Sequence, residues 1–196
     1  MSKSNCFIRQ FGNPNGGFGI FLSKIMNISN RKMYKANADK TVDAGTILEI
    51  GFGNGRQLKM IADRDAGTEL CGVDISEDML RCAQSSVGDR AHLFIADAAE
   101  LPFESDFFDA VITTDTCYFW DDPQQVLREI RRVLKVGGVF VNSMNTMYAG
   151  SVGKTKGGIC ITSSEILVSL AKDLGFGVQG YDKLGKTEEQ VVMRKL

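Results

Sequence analysis

Ile47-Leu48-Glu49-Ile50-Gly51-Phe52-Gly53-Asn54-Gly55 is the stretch on which the fold turns. An apolar run of strand length passes straight into three glycines on alternate positions, and residues 55–64 then read as a helix. Glycines so spaced let the backbone bend sharply and bring a ligand against main-chain N–H groups, where a side chain would block it. A strand, a tight turn and a helix in that order make the first half of a βαβ unit. In doubly wound sheets of such units, ligands bind at the carboxyl ends of the strands.

Outward from this turn the alternation continues. Strands are expected at 46–50, 69–74, 91–96 and 107–114, with a helix at 76–87. Asp122 caps the next helix, Pro123 takes its first position and Gln125 completes a capping box. Val126, Ile130, Val133 and Leu134 form its apolar face, and Gly137-Gly138 is expected to end it before a strand at 139–144. Residues 145–160 are rich in Gly and Lys without periodicity, a loop. Thr162 with Glu165 reads as a second capping box, and Ile166, Leu167, Leu170 and Leu174 as the buried face of that helix. Residues 177–184 and 190–195 close the chain as an antiparallel pair at the edge of the sheet. The expected fold is therefore α/β, a doubly wound, mostly parallel seven-stranded sheet. Residues 1–45 precede it as one or two amphipathic helices carrying Phe18, Phe21, Ile25, Met26, Met33 and Tyr34.

Composition fits one domain at 46–196 with the 1–45 segment as a lid over it. The chain has 196 residues, 43% hydrophobic and 24% charged, and a net charge of −1. That balance offers no global attraction for nucleic acid. The charge is uneven, since residues 1–45 carry seven Lys and Arg against Asp39 and Asp43. Five scattered cysteines make no close pair of the kind a zinc or redox site needs, so no metal is expected. No signal peptide is evident, because Lys24 interrupts the apolar stretch 18–26 and no small-residue cleavage pattern follows. Nothing approaches the ~20 apolar residues of a membrane span. A cytoplasmic protein, monomer or homodimer, is the expectation.

The spacing also sorts the candidate ligands. A dinucleotide fingerprint needs glycine at position 56, where Arg56 stands, which weakens a nicotinamide-dependent reading. Between Gly51 and Gly55 there is no lysine of the kind a phosphate loop uses. Gly153-Lys154-Thr155 fails as a P-loop, because Tyr148 occupies its glycine position and no strand precedes it.

With these residues in place, the chain resembles the class I S-adenosylmethionine-dependent methyltransferases, whose first motif is an acidic residue followed by alternating glycines, here Glu49, Gly51, Gly53 and Gly55. The resemblance runs through most of the chain after Thr46. It implies that Asp74, ending the second strand, accepts hydrogen bonds from the ribose hydroxyls of S-adenosylmethionine, and that Ile75 lies against the adenine. Asp97, after the third strand, matches the acidic residue that reaches the adenine amino group, with Ala98 beside it. Thr114 completes the cofactor-side set. The stretches Asp97-Ala98-Ala99-Glu100-Leu101-Pro102-Phe103 and Phe108-Asp109-Ala110-Val111 look like the subgroup that includes quinone-biosynthesis methyltransferases. So does Arg132-Val133-Leu134-Lys135-Val136-Gly137-Gly138.

Methyl transfer is an in-line displacement, so alignment and exclusion of water supply several kcal/mol without a base. In this family the end of the fourth strand faces the acceptor. Asp115 and Tyr118 are the candidate catalytic residues there, to orient or deprotonate an acceptor, or to wall the pocket. Cys117 reads as a buried thiol. The expected acceptor is a small molecule, anionic if the basic first segment contributes, or apolar. A non-catalytic cofactor-binding module is the alternative. A nucleic-acid or protein methyltransferase is disfavoured, because no Asn/Asp-Pro-Pro-Tyr/Phe motif ends the fourth strand.

Overall fold

The computed structural model describes residues 16–149, 159 and 161–196. Two helices come first, α1 (Gly16–Ser29) and α2 (Arg31–Asp39). The sheet then builds from β1 (Thr46–Ile50), α3 (Arg56–Arg64), β2 (Glu69–Asp74), α4 (Glu77–Val87), β3 (His92–Ile95), β4 (Phe108–Thr114), α5 (Pro123–Val133) and β5 (Leu134–Asn145). A one-turn helix α6 (Thr146–Ala149), then α7 (Ser164–Asp173), β6 (Phe176–Lys183) and β7 (Glu188–Lys195), complete it. Seven strands form one sheet in the order β3-β2-β1-β4-β5-β7-β6. The first five are parallel, and β7 runs antiparallel between β5 and β6.

Strand order reverses between β1 and β4, so the turn after β1 and the end of β4 open at one edge of the sheet. Apolar strands buried on both faces hold that edge still. One core packs against α5 and α7 through Leu48, Val111, Phe140, Leu127, Ile130 and Leu167. The other packs against α3 and α4 through Ile47, Ile112, Leu58, Ile61 and Met79.

Four local expectations need correction. Helix α5 stops at Val133, not at Gly137-Gly138, because Leu134 already has extended backbone and begins β5. The two glycines instead form a bulge: Leu134 pairs with Phe108 and Val139 with Ala110, so the residues between crowd opposite Asp109. A Cβ on Gly138 would stand 2.8 Å from Lys135 O, which is why glycine is needed at that crossing. At α7 the cap position belongs to Ser163 rather than Thr162, and no side-chain cap bond forms. At α5 half of the capping box exists: the Asp122 side chain accepts from Gln125 N at 3.0 Å, while Gln125 Nε2 donates to Ala99 O at 3.2 Å instead of reaching back. Of the stretch expected as a loop from 145, Asn145 ends β5 and Thr146–Ala149 form α6, while residues 150–158, the segment 153–155 among them, lie outside the described residues, as do Cys6 and Cys160.

Candidate active site

At the carboxyl end of β1 the chain makes its turn with Gly51, Gly53 and Gly55 all left-handed, at φ 73°, 52° and 76°. Gly51 shows why the position tolerates no side chain, since an added Cβ would run into Thr116 Cγ2. Its N–H donates to Val73 O at 2.8 Å, which stitches the turn to the end of β2. There Asp74 grips the same turn: Oδ2 accepts Gly53 N at 2.8 Å and Oδ1 accepts Ser76 N at 2.9 Å. Burial raises the Asp74 carboxyl above its ordinary range, and the N–H groups pull it back.

Glu49, on β1 just before the turn, is 2% exposed, and its Oε2 has no hydrogen-bond partner among the described residues. Desolvation, then the neighbouring Asp74, push its pKa well above that of a free carboxylate, against one backbone hydrogen bond from Leu58. An orphaned buried acceptor of this kind is costly unless a donor arrives.

Ile75 follows with its side chain half exposed, at 49%. Across the same edge, Asp97 is exposed and its Oδ1 accepts Ala99 N at 2.9 Å, and Ala98 packs against the core beneath. Thus Glu49, the three glycines, Asp74, Ile75, Asp97 and Ala98 all fall at the ends of β1, β2 and β3. Thr114 faces elsewhere. Its hydroxyl donates to Gln57 Oε1 and accepts from Asn37 Nδ2, both at 2.9 Å, beneath α2.

Beyond β4, Asp115 takes a left-handed backbone, φ 56°, which non-glycine residues seldom adopt. Its N–H donates to Ser143 O at 2.9 Å and its Oδ1 accepts Asn145 N at 2.7 Å, so β5 fixes it from both ends. The residue is 4% exposed, and Oδ2 is left without a hydrogen-bond partner among the described residues. Burial lifts its pKa to about 6, while the Asn145 N–H and the nearby Tyr118 and Asn30 side chains pull it down. Tyr118 is buried in the short turn that follows, its ring edge-on to Phe119. Cys117 is a buried thiol against Met144 Sδ at 3.9 Å. His92 sits exposed on the edge strand β3, away from this cluster.

Sequence reasoning missed the inner face of α2. Asn30, Tyr34 and Asn37 recur at helical spacing there among Met33 and Ala38, and that polar stripe on an apolar face was the available signal. Asn37 is fully buried. Its amide nitrogen donates to Thr114 Oγ1, and its oxygen accepts from Ser143 Oγ at 2.6 Å and Gln190 Nε2 at 2.9 Å. One turn earlier, the Tyr34 hydroxyl has its pKa pushed up by burial and then by the charges of Glu49 and Asp115, against the Asn30 side chain and the Arg56 cation, which lower it. The cations of α2 point outward: Arg31 and Lys32 are exposed, and Lys35 pairs with Asp39 at 2.6 Å. No helix among the described residues is long and apolar enough to cross a membrane.

Residues 48–142 match the family model described as a methyltransferase domain. An uncharacterized methyltransferase of Bacillus subtilis, YdaC, is 34% identical over 113 residues, which take in 57% of this chain and 62% of that relative. The chain therefore spans less than two thirds of that relative's length. Among solved structures, a SAM-dependent methyltransferase from Aquifex aeolicus superposes with a TM-score of 0.73 at 17% identity, over 90% of this chain and 98% of that one. The [4+2]-cyclase SpnF superposes at 0.72 with 19% identity, over 84% of this chain and 80% of its own. These likenesses fix the fold, and the fold alone hosts more than one chemistry.

Proposed function

We propose that this chain, which carries a class I S-adenosylmethionine-dependent methyltransferase domain, moves a methyl group from that cofactor to a small-molecule acceptor. The observation that carries the reading is the pair of features at the end of β1: a turn closed to side chains at Gly51, and beside it the unpartnered, buried Glu49 Oε2. A cofactor with a cationic sulfur and an ammonium suits a turn flanked by buried carboxylates and carrying no lysine between Gly51 and Gly55, and a pyrophosphate does not.

In this reading Glu49 receives the ammonium of the methionine part and the Gly51–Gly55 turn lies along the ligand. Asp74 takes the ribose hydroxyls while still holding the turn. Ile75 and Ala98 flank the adenine, Asp97 reaches its amino group, and Thr114 supports the floor through Gln57. When bound, the cofactor supplies an electrophilic methyl group on sulfur. Asp115 and Tyr118 orient the acceptor from the end of β4, and α1 with α2 act as the lid that keeps water out. Three free cysteines, Cys71, Cys82 and Cys117, suit a reducing compartment such as the cytoplasm.

Incubating the protein with methyl-labelled cofactor and a metabolite extract tests this directly. A labelled product formed together with S-adenosylhomocysteine is the expected result. Cofactor binding without any product would leave a binding module and overturn the transfer reading.

A further inference from the structure

We infer, on the reading that Asp97 meets the adenine amino group, that Gln125, Glu129 and Arg132 of α5 are positioning residues. They aim that carboxylate and so set the base specificity of the cofactor.

Residues 97–103, after β3, are neither helix nor strand, so no ladder fixes their backbone. Three side chains of α5 take over that task. Gln125, Glu129 and Arg132 fall at i, i+4 and i+7, one stripe of the helix. Gln125 Nε2 donates to Ala99 O at 3.2 Å, Arg132 Nη2 to Leu101 O at 3.0 Å and Arg132 Nη1 to Phe103 O at 2.7 Å. Glu129 Oε2 accepts Leu101 N at 2.8 Å, and Arg132 Nε and Nη2 donate to the two Glu129 oxygens at 2.8 and 2.7 Å. The carbonyls of alternate residues are thus held from the helix, two of them by a guanidinium that an ion pair fixes in turn.

The Ala99 contact reaches the ligand side. Ala99 N donates to Asp97 Oδ1 at 2.9 Å and Glu100 N to Asp97 O at 3.0 Å, so the peptides around Ala99 decide where that carboxylate points. One oxygen is committed to the turn, and Oδ2 is the one that meets the ligand. Apolar packing does not do this. Its anchors, the buried Leu101 and Phe103 edge-on to Phe94 and Phe108, sit further along the segment, and burial has no direction. Gln125 also forgoes the local bond of a capping box and gives its donor to Ala99 O instead.

Two ligands that differ only at the base separate aiming from plain support: S-adenosylhomocysteine, and S-inosylhomocysteine, whose purine carries an oxygen in place of the amino group. Calorimetry reads the dissociation constant of each. The unaltered protein should prefer the adenine form by about tenfold or more, and Asp97→Ala should bind both alike. Gln125→Met keeps the length and loses the donor; Arg132→Lys keeps the charge and loses the fork. Each should reduce the preference to about threefold or less, with S-inosylhomocysteine affinity within about twofold of the unaltered protein. Purely supporting side chains would give another pattern, in which both affinities fall together and the ratio stands. Gln125 lies in the first turn of α5, so Gln125→Met decides alone if Arg132→Lys does not fold. The possible failures are distinct. Without S-adenosylhomocysteine binding to the unaltered protein, the methyl-transfer reading falls. Binding without base preference removes the Asp97 assignment and the positioning roles with it. A preference kept in either folded variant overturns the positioning roles alone.

Discussion

Asp74 holds the turn with both oxygens, which accept Gly53 N–H and Ser76 N–H, and in the proposed function it takes the ribose hydroxyls as well. Asp74→Ala should weaken S-adenosylmethionine binding by about 1–3 kcal/mol through unpaired hydroxyls, as read by calorimetry. Asp115 behaves differently, since the fold raises its pKa from 3.8 to about 6. A raised carboxyl costs nothing below its unfolded value, and the penalty grows as pH rises through the folded one. Burying the ionised form thus costs on the order of 3 kcal/mol above that window. Asn tolerates the left-handed backbone and carries no charge. Asp115→Asn should therefore stabilise the cofactor-free protein by about 1–3 kcal/mol at pH 7.5 and by little near pH 4, measured by urea unfolding. A gain independent of pH would contradict this. The places of Glu49 and Asp74 at the ends of β1 and β2 were legible, because an apolar run leading into a glycine-rich or capped turn marks a strand end. The strained φ of Asp115 was not, because it is imposed by Ser143 and Asn145 of β5, thirty residues away.

Helix α2 shows what an element adds beyond its own sequence. Its nine residues are too few to be stable alone, so it depends on packing and on Asn37, which joins it to Thr114, Ser143 and Gln190. Asn37→Ala should cost about 2–3 kcal/mol in urea unfolding, since it leaves several buried polar groups unpaired. It should also weaken cofactor binding by releasing Tyr34 from the site. Wild-type stability in that variant would show that the network is incidental. Strands β1, β2 and β4 were readable as short apolar runs, because both of their faces are covered. The end of α5 was not, because Val133-Leu134-Lys135 suits a helix as well as a strand, and pairing of Leu134 with Phe108 decides it. Thr162 likewise matched a capping box that lost to Ser163, one residue on.

At the scale of the molecule, the reversal of strand order gathers the ends of β1, β2, β3 and β4 at one edge, and α2 packs beside it against β4, β5 and β7. Alternation of strands and helices made that edge predictable. The face of α2 was not, because its polar stripe gains meaning only against Glu49 and Asp115, which the sheet brings to it. Of the basic residues in 1–45, Arg31, Lys32 and Lys35 line the outer face of α2, a placement that net charge alone does not give. The most direct test of the account is a calorimetric titration of folded protein with S-adenosylmethionine and, separately, with NAD. One equivalent of S-adenosylmethionine should bind and NAD should not. Uptake of NAD with no uptake of S-adenosylmethionine would contradict it.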